Sequence, residues 1–241
     1  VPDELAFRLS GQYREQTTDI TFTDDANEQH REDEYYNIRG KLLFVPEFAD
    51  GLRVLFTGSH TFDQPTSRAV SGPDFFDRIL NTAATFTEFR QMTVNNFSLD
   101  ASYDFGNNLT VRSVSALNDT DLSIQSSPSS MTFLRDDHRK DSDFTQDLRL
   151  EVGEDIKGLS GVAGVFYGAF EQNVDSFIQS SGFVFQNGTF ENGTDTIAAY
   201  IDARYRFFER WSLIAGGRYQ HDKVRNKIDV TSDFGNTFSD R

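Results

Sequence analysis

The stretch that decides the fold is NNFSLDASYDFGNN, residues 95–108. Phe97, Leu99, Ala101, Tyr103 and Phe105 fall on one parity, and Asn96, Ser98, Asp100, Ser102 and Asp104 on the other. A period of two is that of an extended strand with one apolar and one wet face. The fold then turns on what the apolar face touches, a protein core or lipid.

The same alternation recurs on both sides of this stretch. LAFRLSGQYR (5–14) sets Leu5, Phe7, Leu9, Gly11 and Tyr13 against Arg8, Ser10, Gln12 and Arg14. YNIRGKLLF (36–44) sets Tyr36, Ile38, Gly40, Leu42 and Phe44 against Asn37, Arg39 and Lys41. FTQDLRLEV (144–152) sets Phe144, Leu148, Leu150 and Val152 against Thr145, Asp147, Arg149 and Glu151. IAAYIDARYRF (197–207) sets Ile197, Ile201, Tyr205 and Phe207 against Asp202, Arg204 and Arg206. With the segments from Leu52, Leu109, Leu159 and Trp211, this predicts about nine strands of roughly nine to eleven residues, the length that crosses a bilayer at a tilt. Soluble strands are nearer five or six. FFDRIL (75–80) reads as a short loop helix.

The connections carry the argument further. Those at 46–51, 106–108, 153–158 and 208–210 are short, whereas those near 19–34, 63–90, 118–142 and 171–195 are long. Long loops at every second connection are the rhythm of an up-and-down membrane barrel, with tight turns on one side and long loops outside. A soluble sandwich or solenoid, its apolar face buried on a second sheet, has no reason to keep that rhythm. Aromatics near strand ends, Tyr36, Phe44, Phe62, Phe105 and Trp211, suit interfacial girdles. An Arg or Lys facing lipid at mid-depth costs about 2–4 kcal/mol, so the charged parity should face a wet lumen. Arg39, Asp100, Arg149, Arg204 and Arg218 are the expected lumen-lining residues.

Composition agrees. The 241 residues carry 23 Lys plus Arg against 38 Asp plus Glu, a net charge of −15 that repels nucleic acid. Hydrophobic residues are only 37%, yet Phe alone numbers 24, which suits thin apolar faces better than a thick core. Cysteine is absent, so no disulfide framework or thiolate metal site exists. The opening VPDELAFRL lacks the basic and apolar regions of a signal peptide. The longest apolar run, VAGVFYGAF (162–170), is far short of the ~20 residues of a membrane helix.

Three longer stretches, DFTQDLRLEVGEDIKGLSGVAGVFYGAFEQ, IAAYIDARYRFFERWSLIAGGRYQHDK and YYNIRGKLLFVPEFADGLRVLFTGSH, resemble strand–turn–strand units of TonB-dependent outer-membrane receptors. The resemblance spans about residues 35–223 and concerns the barrel alone. It implies an all-β, antiparallel transmembrane barrel of about 22 strands, of which this chain supplies about nine. Residues 1–241 then form one segment of a barrel whose plug domain and remaining strands lie outside the chain. The implied function is uptake of a scarce ligand, a ferric siderophore first, through a plugged barrel energised by TonB in a Gram-negative outer membrane. The implied partners are TonB through the plug, the small-molecule ligand and membrane lipid. A passive porin-like channel and a soluble β-rich binding module are the alternatives.

Catalytic signatures are missing: there is no HExxH, P-loop, GxSxG or GxGxxG. The reading is of a receptor, with no enzyme activity and no cofactor. HREDE (30–34) and DDHRKDSD (136–143) read as solvated loop tips rather than metal clusters. Gly161, Gly164 and Gly216 read as wall packing beside aromatics, with room for a plug as the other reading. The aromatic outer loop GPDFFDRILNTAATFTEF makes Phe75, Phe76 and Arg78 candidates for a ligand mouth.

Overall fold

Alternating side chains, β-branched and aromatic residues, and Gly/Asn punctuation at the turns assemble into one long antiparallel sheet. The computed structural model describes residues 4–23, 31–66, 76–80, 88–126, 133–156, 158–208, 211–235 and 238–239. Its strands in chain order are β1 (Leu5–Thr17), β2 (Thr21–Phe22), β3 (Glu32–Phe44), β4 (Leu52–Gln64), β5 (Ile79–Leu80), β6 (Glu88–Asp104), β7 (Leu109–Ser126), β8 (Phe133–Ile156), β9 (Leu159–Ser180), β10 (Phe183–Phe208), β11 (Trp211–Thr231) and β12 (Phe238–Ser239).

Nine of these are long, and each pairs antiparallel with its predecessor and successor among the long strands, in the order β1-β3-β4-β6-β7-β8-β9-β10-β11, with two-residue β12 on the edge of β11. The remaining pair, β2 and β5, forms a separate parallel bridge.

Register is unbroken across the wall. Leu55 stands opposite Asp100, Asp100 opposite Val114, Val114 opposite Asp147, Asp147 opposite Phe166, Phe166 opposite Ala198 and Ala198 opposite Gln220. Slips occur only near strand ends, at Val152/Ile156, Val184/Gln186 and Arg206/Phe208. Because one slip would exchange the two faces, this regularity makes face assignments transferable from strand to strand.

Among the described residues none forms a second layer on the apolar face. Leu9, Ile38, Leu99, Leu148, Val165, Ile201 and Tyr219 are all exposed. Among the described residues the buried apolar side chains are Ile20, Phe22, Pro46, Leu80, Phe89 and Ala198; Ile20, Phe22, Leu80 and Phe89 form one cluster where the β2–β5 bridge meets the start of β6. A contiguous apolar surface of this extent far exceeds what water-facing monomers carry.

The strands are longer than their hydrophobic pattern. β7 runs to Ser126 and β8 starts at Phe133, while β9 and β10 are joined by Ser181–Gly182 alone. Both turn residues have positive φ, 50° and 84°, the conformation of a two-residue hairpin matched to strand twist. The long loops expected near 118–142 and 171–195 are therefore mostly strand. The ladder is a backbone property and continues wherever neighbours pair; the apolar alternation stops earlier, where the face ceases to be greasy. DDHRKDSD (136–143) lies inside β8 rather than at a loop tip, with Asp137, Arg139, Asp141 and Asp143 on one face and Asp136, His138, Lys140 and Ser142 on the other. FFDRIL also differs from expectation: Phe76–Arg78 form a turn and Ile79–Leu80 a strand, while Phe75 lies outside the described residues.

Candidate functional site: the wet face and the loop clasp

Arg39, Asp100, Arg149, Arg204 and Arg218 share one face of the sheet, on β3, β6, β8, β10 and β11. Asp100 is bound by the guanidinium of Arg112, with Nε at 2.8 Å and a second contact from the terminal nitrogen. Arg149 reaches Glu151 at 2.9 Å. The Tyr200 hydroxyl donates to Asp147 at 2.7 Å. Arg218 lies over the Phe166 ring, 5.6 Å from its centroid, and donates to Gln220. These contacts tie β6 to β7 and β8 to β10, holding side chains flat along the wall.

Gly164 shows how. A Cβ there would meet the Tyr200 hydroxyl at 2.5 Å and the ring carbon that bears it at 2.6 Å, so the missing side chain is what lets Tyr200 cross β9 to Asp147. This is wall packing beside an aromatic. Neither Arg112 nor Tyr200 stands out in the sequence, because LTVRSVSAL alternates ambiguously and Tyr200 sits on the charged parity of its strand.

Farther along the same face the strands extend past the apolar band. There Arg135 bridges Glu88 and Asp137, Ser176 donates to Asp137, and Gln186 donates to Ser176 at 2.7 Å. Below it a cleft of about 270 Å³ is lined by Asn118, Arg139, Asp143, Phe170, Asn192 and Thr194 among others. Amides, carboxylates, a guanidinium and one ring converge in it, a donor and acceptor set suited to a polar ligand with an apolar edge.

Within the apolar band Gln146 sits in a small polar island with Ser113 and Ser115. Gln146 has the parity of Phe144 and Leu148, and stands opposite Ser115 and Tyr167. Its amide donates to Ser113 at 2.9 Å and to the Asp147 carbonyl at 3.3 Å, and its oxygen accepts from Ser115. Every polar atom of the amide is satisfied sideways, which an apolar environment demands.

Two outer connections are fastened to each other. β2 lies in the β1–β3 connection and β5 in the β4–β6 connection; Thr21 NH donates to Arg78 O at 2.8 Å and Thr23 NH to Leu80 O at 3.1 Å. Ile20, Phe22, Leu80 and Phe89 pack beneath them, with the Phe22 and Phe89 rings 6.2 Å apart. Arg78 holds Asp19 through both Nε (3.1 Å) and a terminal nitrogen (2.8 Å). The Arg78 hydrogen bond, reinforced by its charge, keeps the Asp19 carboxyl below the ordinary carboxylate value. Arg78 has φ 54°, a left-handed backbone that a non-glycine residue adopts only when its surroundings impose it. The predicted mouth residue Arg78 is thus a structural pin of this clasp, while Phe76 beside it is strongly exposed.

Residues 47–241 match the family described as TonB dependent receptor-like, beta-barrel. The chain belongs to that family. Solved structures of two uptake receptors share its fold. The chain superposes on the ferric yersiniabactin uptake receptor FyuA from Yersinia pestis with a TM-score of 0.81 at 17% identity, over 98% of this chain and 37% of that receptor. It superposes on the open form of the ferric-catecholate import receptor Fiu from E. coli K12 with a TM-score of 0.65 at 13% identity, over 95% of this chain and 42% of that receptor. At such identities the likeness is one of fold. The chain thus spans about two-fifths of the length of these receptors, all of it wall. No curated protein matches the sequence.

Proposed function

We propose that this chain is part of the wall of a Gram-negative outer-membrane transporter that takes up a scarce ligand, most simply a ferric siderophore. The observation that carries the reading is the two-faced sheet of a TonB-dependent receptor barrel: a greasy face of membrane-crossing length and a wet face crowded with fixed charges. The ferric-complex specificities of FyuA and Fiu support the ligand class. On this reading further strands complete the barrel, a plug fills it, and TonB moves the plug using inner-membrane energy. Arg39, Asp100, Arg149, Arg204 and Arg218 line the lumen, and the clasp and the upper cleft stand at the mouth. The wall performs no chemistry; it holds charges in place for plug and ligand to meet.

The test is uptake of radiolabelled ferric siderophores by a receptor-deficient strain expressing the full-length protein, with and without TonB. Accumulation that requires TonB supports the reading. Accumulation of small solutes irrespective of TonB makes the protein a passive channel and overturns it.

A further inference from the structure

The cleft on the upper wet face is ordered by register. Asn118, Asp143, Phe170 and Thr194 stand in one row across β7 to β10, and Asp141, Gln172 and Asn192 in the next row outward. Rows on one face lie about 6.7 Å apart along the strands, and neighbouring strands about 4.8 Å apart. Gly168 shapes the floor. It is buried, and a Cβ there would meet the Phe170 ring at 2.7 and 2.9 Å. The missing side chain lets that ring lean back along β9, where it lines the cavity.

The polar side chains around the ring are joined in pairs. Arg139 grips Asp141, with Nε 2.9 and 2.8 Å from its two oxygens. Asn118 donates to one Asp143 oxygen at 3.2 Å, and Asn192 to the Gln172 oxygen at 3.3 Å. Each pair leaves valences over. The second Asp143 oxygen and the Asn118 and Asn192 carbonyl oxygens remain to accept, and the Gln172 amide and Thr194 hydroxyl remain to donate; among the described residues none of these has a partner. Donors and acceptors therefore alternate around one aromatic ring.

That alternation discriminates between ligand classes. An anion such as a catecholate or a phosphate only accepts, and it would meet one guanidinium already held by Asp141 beside a second carboxylate, a like-charge contact. An ammonium only donates, and it would strand the Gln172 amide. A hydroxyl donates and accepts, so a set of hydroxyls meets both kinds of group without leaving either unpaired. We propose that the cleft binds a neutral pyranose ring, its C–H face on Phe170 and its hydroxyls bridging the Asn118–Asp143 and Gln172–Asn192 pairs. The inference rests on the reading of the chain as an uptake wall, and names the group by which the cargo is recognised. Two sources share this chemistry: an iron-free oligosaccharide and a ferric chelate that bears a sugar.

The experiment is titration calorimetry on the full-length receptor purified in detergent. The probes are maltohexaose, cellohexaose, mannohexaose and xylohexaose, together with a glucosylated ferric catecholate and its sugar-free parent. At least one sugar-bearing probe should bind. A hexaose that binds assigns the free saccharide; binding of the glucosylated chelate alone, at least tenfold tighter than its parent, assigns the chelate-borne sugar. For the probe that binds, Phe170→Leu should weaken affinity at least fivefold and Phe170→Tyr should retain it. Asp143→Ala with Gln172→Ala should weaken it at least tenfold, while Ser59→Ala, on the same face but on β4, should leave it unchanged. Heat-dependent gel mobility checks that each variant is assembled. No binding of any sugar-bearing probe, tighter binding of the sugar-free chelate, or an affinity unmoved by Phe170→Leu overturns the inference. TonB-dependent uptake of a sugar-free ferric siderophore alongside those results leaves the transport reading standing. Sugar binding in a receptor whose uptake ignores TonB sinks that reading and keeps the cleft, so the two fail separately.

Discussion

The wall and the clasp are stabilised by opposite means. In the wall nine long strands satisfy one another's backbone, yet of their side chains only Phe89, in the clasp cluster, and Ala198 are buried apolar groups among the described residues. In the clasp the strands are two residues long, and its integrity rests on Ile20, Phe22, Leu80 and Phe89 shut away from solvent. Apolar side chains in the wall need an external apolar phase; those in the clasp supply their own. The same residue types therefore carry different energetic meanings in the two regions, and substitutions should separate them.

The largest effect is expected in the clasp. Phe22→Ala removes an aromatic ring from a small core, a change of about 3–5 kcal/mol where the site cannot collapse. The two loops should part while the sheet's unfolding midpoint stays put. Hydrogen exchange at the Thr21 and Thr23 amides reports the first, and heat-dependent gel mobility the second. A wall that melts together with the clasp would show that the two regions are one cooperative unit.

Next comes the wall. Leu99→Arg sets a guanidinium on the apolar face and should cost about 2–4 kcal/mol in a bilayer. Ser98→Arg, one residue away on the wet face, should cost well under half of that. Denaturant titration in lipid vesicles measures both. Equal penalties would break the assignment of faces.

The faces themselves were legible in the sequence. The opening strand, LAFRLSGQYR, YNIRGKLLF and IAAYIDARYRF all keep the parity that their alternation predicts. Two kinds of feature were not. The upper halves of β7 to β10 carry polar residues on both faces, so side-chain periodicity falls silent where the backbone ladder continues. The site was legible by residue type only: Arg39 and Asp100 announce a wet face, but which cation Asp100 meets, here Arg112, depends on register. β2 and β5 pair across more than fifty residues through two-residue segments, too short for any period to register.

Gln146 carries no signal in the sequence for a related reason. A lone polar residue interrupts an apolar parity, and nothing local says whether it is tolerated or paired. Its pairing with Ser113 and Ser115 predicts a smaller effect than the arginine. Ser115→Ala strands the Gln146 oxygen in the apolar band and should cost about 1–3 kcal/mol. The triple change Ser113→Ala, Gln146→Leu, Ser115→Ala removes donor and acceptor together and should restore most of that stability. The same vesicle titration decides it; a triple variant weaker than Ser115→Ala would mean that the amide locks β7 to β8.

The smallest effect separates wall from clasp by pH. Arg78 holds the Asp19 carboxyl below its ordinary value, first by hydrogen bond and then by charge, with desolvation opposing. A group whose folded value is depressed contributes its full stabilisation above its unfolded value, about 3.9 for Asp. That contribution fades as pH falls through the lower, folded value. The clasp should therefore be indifferent to pH from 7 to 5 and loosen only in the acid range below about 4. Spin labels at Thr23 and Phe76 should report a widening distance distribution there, and Asp19→Asn should remove the acid step while leaving a slightly looser clasp at neutral pH. The exposure of both partners keeps the effect small. Arg78→Gly should bring the two contributions of that residue into opposition, since it relieves the positive φ and deletes the ion pair. If it tightens the clasp at pH 7, backbone strain outweighs the Asp19 contact; if it loosens the clasp, the contact is what holds Arg78 in its left-handed conformation.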